Sequence, residues 1–291
     1  MTPGEPLSDA PVEPPREVVR DAVARAIAED LGPLGDLTAA LVGPDASATA
    51  DVIVRREGVL AGTACATEAF AQVDPRIEVT WRSADGAEVG ANAVIGTVAG
   101  PLRSILTAER TALNFLCHLS GVASLTRRFV DALEGRARIA DTRKTLPGLR
   151  ALEKAAVRAG GGVNHRGSLS DMVLIKDNHL GALGISAAVR RARALWPGRG
   201  IEVECERMEQ AVEAVEAGAD LVMLDNMTAG EATRCVKVVR DSTREVLVEL
   251  SGGVTLENVR AYADAGVDIM STSAITQSAP ALDIALEVRL P

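Results

Sequence analysis

Aromatic residues are scarce in this chain: three Phe, two Trp and one Tyr among 291 residues, or 2%. Nucleic-acid recognition by base stacking needs aromatic platforms, and a broad phosphate-binding face needs an excess of Lys and Arg. Here 31 basic residues stand against 40 acidic ones, for a net charge of −9, which disfavours both. Cysteine is equally sparse. Cys65, Cys117, Cys205 and Cys235 lie far apart with no Cys-x-x-Cys pair, so neither a disulfide framework nor a zinc knot is expected, and all four read as small core residues. No apolar run reaches the ~18–20 residues that a spanning helix needs. The opening MTPGEPLSDAPVEPP has neither a basic start nor an apolar stretch. Residues 1–15 therefore read as a flexible leader rather than a signal peptide, and a cytoplasmic location is expected. The remainder, 47% hydrophobic and 24% charged, has the balance of a globular protein with a real core.

What is present changes texture along the chain. EVVRDAVARAIAEDLGPLGDLT spaces apolar and charged positions as a helix does, then stops at Gly32-Pro33 and Gly35. Residues 50–100 read as short β-rich runs separated by glycines, spaced like an antiparallel sheet. From Leu106 to Leu133 apolar residues return at three- and four-residue intervals, which predicts a connecting helix. Beyond residue 136 one unit repeats: a short apolar strand, a polar residue at its end, then an amphipathic helix. The predicted strands are 137–141, 172–175, 201–204, 221–224, 246–250 and 268–271. Such alternation builds a parallel sheet from βα units. Six units fall short of an eight-unit barrel of ~250 residues, so a small or incomplete barrel is expected. A doubly wound open sheet is the competitor, disfavoured because Gly-x-Gly-x-x-Gly and P-loop fingerprints are both missing.

Parallel α/β architectures bind ligands at the carboxyl ends of their strands. Those positions here are almost all polar: Asp141-Thr142-Arg143-Lys144, Lys176-Asp177-Asn178-His179, Glu204, Asp225-Asn226, Ser251-Gly252-Gly253 and Ser271-Thr272-Ser273. Taken singly, Asp225 and Ser271 could be helix caps, Gly252-Gly253 a tight turn and Lys176 a solvated strand end. Six in succession favour a site. His165-Arg166 after Gly160–Gly162 adds to it. Arg143, Lys144, Arg166 and Lys176 converge in an acidic protein, which suits a multiply anionic small substrate. Glu204 and Asp225 on neighbouring strands suit Mg²⁺ held jointly with substrate phosphates. Ser251-Gly252-Gly253 ahead of a predicted helix is a weak phosphate-cradle motif.

ERTALNFL (109–116), DTRKTLPGLR (141–150), GGGVNHRGSLSDMVLIKDNH (160–179), EVE (202–204), LDNM (224–227) and SGG (251–253) resemble the quinolinate phosphoribosyltransferase family, and the likeness runs from GDLT (35–38) to ALDIAL (281–286). The resemblance implies an N-terminal α/β sandwich domain over 16–120, joined by the C-terminal segment 279–291, and a catalytic incomplete α/β barrel over 121–278. It implies a homodimer whose partner subunits close each other's barrel mouths, Mg²⁺ as cofactor, and small-molecule substrates with neither nucleic acid nor membrane as partner. The implied reaction is quinolinate plus phosphoribosyl pyrophosphate giving nicotinate mononucleotide, pyrophosphate and carbon dioxide, a step of NAD biosynthesis. By matching positions, Arg143, His165, Arg166 and Lys176 would line the quinolinate pocket, with Arg110 reaching in from the other subunit. Lys144 would sit between the substrates, with Lys176, Glu204 and Asp225 beside it as catalytic groups. Ser251, Gly252, Gly253, Thr272, Ser273 and Gln277 would hold the 5′-phosphate. Four positions depart from the family pattern: Ser273 for a glycine, Gln277 for a histidine, Cys117 for a glutamine and Leu146 for a threonine. A paralogue with another aromatic acid as acceptor, a Schiff-base lyase using Lys144 or Lys176, and a non-catalytic phosphosugar-binding module are the competing readings.

Overall fold

The computed structural model describes residues 13–176, 178, 183–242 and 244–289. Most of the expected leader, Asp177 and His179 of the strand-end motif, and the last two residues of the C-terminal segment lie outside the described residues. The chain forms two compact units.

One unit holds the described residues up to Arg127, together with Thr145–Gly161 and the chain from Ile275 onward. Its centre is an antiparallel sheet built from β1 (Ser47–Val54), β3 (Glu78–Trp81), β5 (Val94–Pro101) and β12 (Ile284–Arg289), in the order β12-β1-β5-β3. β1 lies between two partners and alternates strictly: Ala48, Ala50, Val52 and Val54 are buried, while the intervening residues are not. That period of two puts one face of the strand on the core. A small ribbon of β2 (Gly58–Val59) and β4 (Glu88–Val89) adjoins it. Helices α1 (Arg16–Leu31), α2 (Thr63–Val73) and α4 (Arg150–Ala159) belong to the same unit, as does most of the 32-residue α3 (Leu102–Leu133). Gly121 lets α3 approach the returning chain: a Cβ there would lie 2.2 Å from the Pro280 carbonyl oxygen. One turn away, the Cys117 carbonyl accepts from Leu282 N–H at 2.9 Å.

The other unit holds Arg128–Lys144 and Gly162–Ala274. Six strands, β6 (Arg138–Ala140), β7 (Val173–Ile175), β8 (Ile201–Cys205), β9 (Leu221–Asp225), β10 (Leu247–Ser251) and β11 (Ile269–Ser271), pair in the order β6-β11-β10-β9-β8-β7, every pair parallel. β6 and β7 are the two ends of this order, with no ladder between them among the described residues. The sheet is an incomplete α/β barrel. Crossover helices α5 (Ile185–Leu195), α6 (Met208–Ala217), α7 (Ala229–Arg240) and α8 (Val259–Ala263) return the chain between strands, and α9 (Ala274–Gln277) follows β11. Their starts and stops are written locally. Thr228 and Glu231 form a reciprocal capping box at α7, and α6 ends on Gly218 at φ 97°.

The amino-terminal rim of this sheet repeats one device. Asp220, just before β9, accepts from Ile201 N–H of β8 at 2.7 Å and from Arg193 of α5 at 2.9 Å, while Arg193 also donates to the Gly218 carbonyl. Asp268, just before β11, accepts from Val248 N–H of β10 at 2.7 Å and from Arg240 of α7 at 2.6 Å, while Arg240 also donates to the Val246 carbonyl. Each clamp ties two strands and a helix together.

The six predicted parallel strands are all present within a residue or two. Two local expectations change. Residues 63–73, read with the β-rich segment, form α2, because Cys65, Ala66, Ala69 and Phe70 recur on one helical face and are buried. The helix predicted straight after Ser251-Gly252-Gly253 begins only at Val259 and has five residues. Asn258 explains the delay: its side chain accepts from Thr255 N–H and donates to the Gly253 carbonyl, both at 2.8 Å, which holds a turn in place of helix.

Candidate active site

The carboxyl ends of the parallel strands surround a cavity of about 380 Å³. Thr142, Arg143 and Lys144 line it from the segment after β6, His165 and Arg166 from the loop before β7, and Lys176 from the end of β7. Glu204, Asp225, Asn226, Ser251, Gly252 and Ser271 complete the polar wall, with Leu174 and Met223 as its apolar part. A cavity of similar size in the other unit sets Arg25 among Glu29 and Asp30. Its charges offset one another, and no set of cations converges there.

Two cations press on each other at the strand-end cavity. Burial and the neighbouring Arg143 charge both push the Arg166 guanidinium below its ordinary range, with Glu202 and Asp171 opposing. An anion would relieve that repulsion. In the same cavity, burial and then the Glu204 charge raise the Asp225 carboxyl, and Lys176 and Lys144 lower it. Lys176 Nζ donates to Glu204 Oε2. Hard carboxylate oxygens on adjacent strands, whose charges oppose one another, are a donor set that Mg²⁺ fits.

The turn after β9 is set by main-chain geometry. Asn226 sits in the left-handed region at φ 55°, and its side-chain amide donates to Asp225 Oδ2 at 2.7 Å. Gly252 packs directly against it: a Cβ there would fall 2.2 Å from Asn226 Oδ1, so no other residue fits without moving the turn. Gly253 follows at φ 65° with open space around it. Because the next helix is short and late, any anion cradle here consists of these main-chain N–H groups rather than a helix terminus.

Beneath the cavity lie three fully buried carboxylates, Asp141, Glu202 and Glu249, each 0% exposed. Asp141 Oδ1 accepts from His165 N–H at 2.9 Å, and Oδ2 accepts from Asn164 Nδ2 at 2.6 Å. The imidazole Nε2 is 3.0 Å from Glu202 Oε2 and 3.4 Å from Glu249 Oε2. Nδ1 accepts from the Arg166 main-chain N–H at 2.8 Å. Burial disfavours a charged imidazole, but the hydrogen bonds and charges of the two glutamates outweigh it and carry the pKa up to about 10. The Arg166 N–H aimed at Nδ1 opposes a second ring proton at that atom. The hydrogen bond is the sharper constraint, and it places the ring's single proton on Nε2, facing the carboxylates.

The structure thus brings together Arg143, Lys144, His165, Arg166, Lys176, Glu204, Asp225, Ser251 and Gly252 around one cavity. Gly253 and Thr272 adjoin it in sequence. Thr272 is buried, its hydroxyl donating to the Val254 carbonyl at 3.3 Å, and Ser273 follows it without lining the cavity. Arg110 and Gln277 belong to the other unit, where Arg110 is largely exposed on α3 beside Glu109. Sequence reasoning missed Glu202 and Glu249 as parts of this site. EVE (202–204) put Glu202 on the same side of its strand as Glu204, but only the folded barrel shows that this side is interior, and Glu249, the single charge in VLVEL, carried no such pairing.

Family models described as "Quinolinate phosphoribosyl transferase, N-terminal domain" and "Quinolinate phosphoribosyl transferase, C-terminal domain" match residues 36–120 and 122–287. The chain is 42% identical over 277 residues to the nicotinate-nucleotide pyrophosphorylase [carboxylating] of Mycobacterium leprae, covering 94% of this chain and 98% of that protein. Among solved structures, the nicotinate-nucleotide pyrophosphorylase of Francisella tularensis superposes with a TM-score of 0.91 at 40% identity, over 97% of this chain and 99% of that one. The corresponding enzyme from Ehrlichia chaffeensis gives 0.87 at 34% identity, over 92% and 98%.

Proposed function

The chain belongs to the quinolinate phosphoribosyltransferase family, and on that premise we propose that its strand-end cavity joins quinolinate to phosphoribosyl pyrophosphate with loss of carbon dioxide, a pentosyl transfer of NAD biosynthesis. The observation that carries this reading is the convergence of charge in one cavity: the cations Arg143, Lys144, Arg166 and Lys176 together with the carboxylates of Glu204 and Asp225.

Quinolinate is a dianion whose two carboxylates flank one edge of a pyridine ring. Arg143 and Arg166, whose like charges oppose each other, bind those carboxylates and aim the ring nitrogen at the sugar. Lys144 lies between the two substrates. The ring nitrogen forms a bond to the anomeric carbon as the bond to pyrophosphate breaks, and the leaving group departs with the electron pair. Positive charge that builds on the ribose during this step faces Glu204 and Asp225. The adjacent carboxylate then leaves as carbon dioxide, and its electron pair stays on the ring carbon beside the pyridinium nitrogen until a proton is taken up. Glu204 and Asp225 are the residues that would hold Mg²⁺, which when bound neutralises pyrophosphate charge. Lys176 is paired with Glu204 in the same cavity. Gly252 and Gly253 offer N–H groups to the 5′-phosphate, and Ser251, Thr272 and Ser273 complete that proposed subsite.

We further propose a homodimer in which Arg110 serves the partner subunit's cavity, and a cytoplasmic location. No described helix is long and apolar enough to cross a membrane. If Arg110 acts across subunits, mixing Arg110→Ala and Lys176→Ala chains restores part of the activity through hybrid sites. Absence of complementation in a mixture shown to exchange subunits overturns that assignment.

The test of the reaction is pyrophosphate release from phosphoribosyl pyrophosphate with a panel of pyridine carboxylic acids. Quinolinate is expected to support release and nicotinate to fail, because a monoacid offers a single carboxylate to two guanidiniums and lacks the carboxylate that is lost. Equal use of nicotinate refutes the acceptor. Trapping of a substrate adduct by borohydride would favour the lyase reading instead.

A further inference from the structure

The buried carboxylates under the cavity have no part in the reaction as derived. Asp141, Glu202 and Glu249 follow or belong to β6, β8 and β10, alternate members of the sheet order β6-β11-β10-β9-β8. In barrels, alternate strands contribute the side chains of one interior layer. Such a layer is ordinarily filled by Val, Ile or Leu. Here it holds carboxylates: among the described residues the oxygens of Glu202 and Glu249 and the Nε2 of His165 make no well-aligned hydrogen bond, and the contact that joins them is close approach, Nε2 lying 3.0 Å from Glu202 Oε2 and 3.4 Å from Glu249 Oε2. Buried ionic groups of this kind contribute little net stability compared with apolar residues of similar volume. Their presence calls for a role other than holding the barrel together.

A metal ion between His165, Glu202 and Glu249, whose ligand atoms lie within 4.8 Å of one another, does not fit. A metal would need the Nε2 lone pair, yet Nδ1 already accepts from Arg166 N–H. Both ring nitrogens would then lack a proton, and the ring would be an imidazolate. A proton on Nε2 suits both the Arg166 N–H that points at Nδ1 and the two carboxylates near Nε2.

These contacts form a chain that ends in the substrate cavity. Asp141 fixes Asn164 and the His165 main chain from one side. Glu202 and Glu249 take the ring from below, and the other ring nitrogen holds the Arg166 N–H. Arg166 leaves this grip straight into the cavity. We propose that Glu202 and Glu249 are positioning residues for acceptor binding: as hydrogen-bond acceptors for His165 Nε2–H they lock the imidazole, which locks the Arg166 main chain and so aims its guanidinium. The inference rests on the acceptor-pocket reading above. It concerns acceptor oxygens rather than charge.

The test compares two double variants. Glu202→Met with Glu249→Met removes both acceptors at similar volume, whereas Glu202→Gln with Glu249→Gln keeps an acceptor oxygen at each position. The Met pair is expected to raise the KM for quinolinate by about tenfold or more while leaving the KM for phosphoribosyl pyrophosphate within about twofold, and the Gln pair to recover most of the loss. A structural role alone would move both constants and lower the thermal midpoint, which is expected to stay or rise in the Met pair. Unchanged quinolinate KM, parallel rises in both constants, or failure of the Gln pair to recover overturns the proposal. Should the Met pair not fold, ring ¹⁵N shifts of the wild-type protein decide, with the His118 and His179 signals identified through His118→Gln and His179→Gln. A protonated Nε2 with a bare Nδ1 supports the lock, and a protonated Nδ1 overturns it. If the wild-type protein does not use quinolinate at all, the acceptor reading fails while the ring measurement still reports on the lock.

Discussion

The two ends of the parallel sheet treat their carboxylates in opposite ways. At the amino-terminal rim, Asp220 and Asp268 each have an arginine and a strand N–H as partners, and the pattern repeats two strands apart. At the carboxyl end, Asp225 is pushed up by burial and by Glu204, with Lys176 opposing. One rim satisfies its charges within the protein. The other leaves them to be completed by something that arrives. Stability and function are thereby assigned to different ends of the same strands, and a residue's end of the strand says more about its role than its type does.

Substitutions at the two ends should therefore fail in different ways. The largest expected effect is at the mouth. Arg166→Ala removes charged hydrogen bonds to the substrate, at ~1.5–3 kcal/mol each, so kcat/KM for quinolinate should fall by roughly a hundredfold or more with the urea midpoint unchanged. Steady-state kinetics beside a denaturation curve measures both, and a drop in stability that matches the loss of activity would erase the contrast.

At the rim the expectation reverses. Asp268→Ala strips Val248 N–H of its acceptor and Arg240 of its partner, and Asp220→Ala does the same to Ile201 and Arg193. The ion pairs are half-exposed and add little. The lost main-chain acceptor should dominate, at about 1–2 kcal/mol per site, read from urea unfolding. Both Michaelis constants should stay within about twofold. If either rim variant shifts a substrate constant, the division between ends is not clean.

The smallest effect sharpens the comparison within the mouth. Ser273 and Gln277 stand where the family pattern has glycine and histidine, and a serine side chain crowds a site made of main-chain N–H groups. Ser273→Gly with Gln277→His should lower the KM for phosphoribosyl pyrophosphate a few-fold at fixed quinolinate, consistent with one gained interaction of ~1 kcal/mol. An unchanged or higher constant would mean that the loop has adapted without loss.

Much of this contrast was legible before the structure. The parallel strands announce themselves because each is an apolar run ending in a polar residue, and that same polar residue is what the mouth uses. The clamps at the rim were not legible. Asp220 and Asp268 are single acidic residues ahead of strands, and nothing in sequence distinguishes them from solvated turns until Arg193 and Arg240 are folded back onto them. Glu202 and Glu249 are harder still, since a charge within an apolar strand reads as a strand's exposed side unless its barrel neighbours are known. The short helix α8 was overestimated for a local reason: ENVRAYADAG has helical spacing, but Asn258 takes the hydrogen bonds of its own turn. α2 was hidden because alanine and cysteine on its buried face carry little hydrophobic contrast.

Strand β12 has a consequence for the order in which the protein is made. Val54 of β1 pairs with Ile284, so the antiparallel sheet gains β12 only after the whole parallel unit has been synthesised. Until then β1 has an exposed edge, a template for unwanted pairing. The parallel unit, nested between, is complete earlier. Folding it first would shorten the loop that must be closed to bring β12 back, lowering the entropy cost of that final pairing. A nascent chain stalled before residue 284 should accordingly carry a protected parallel sheet and an unprotected β1.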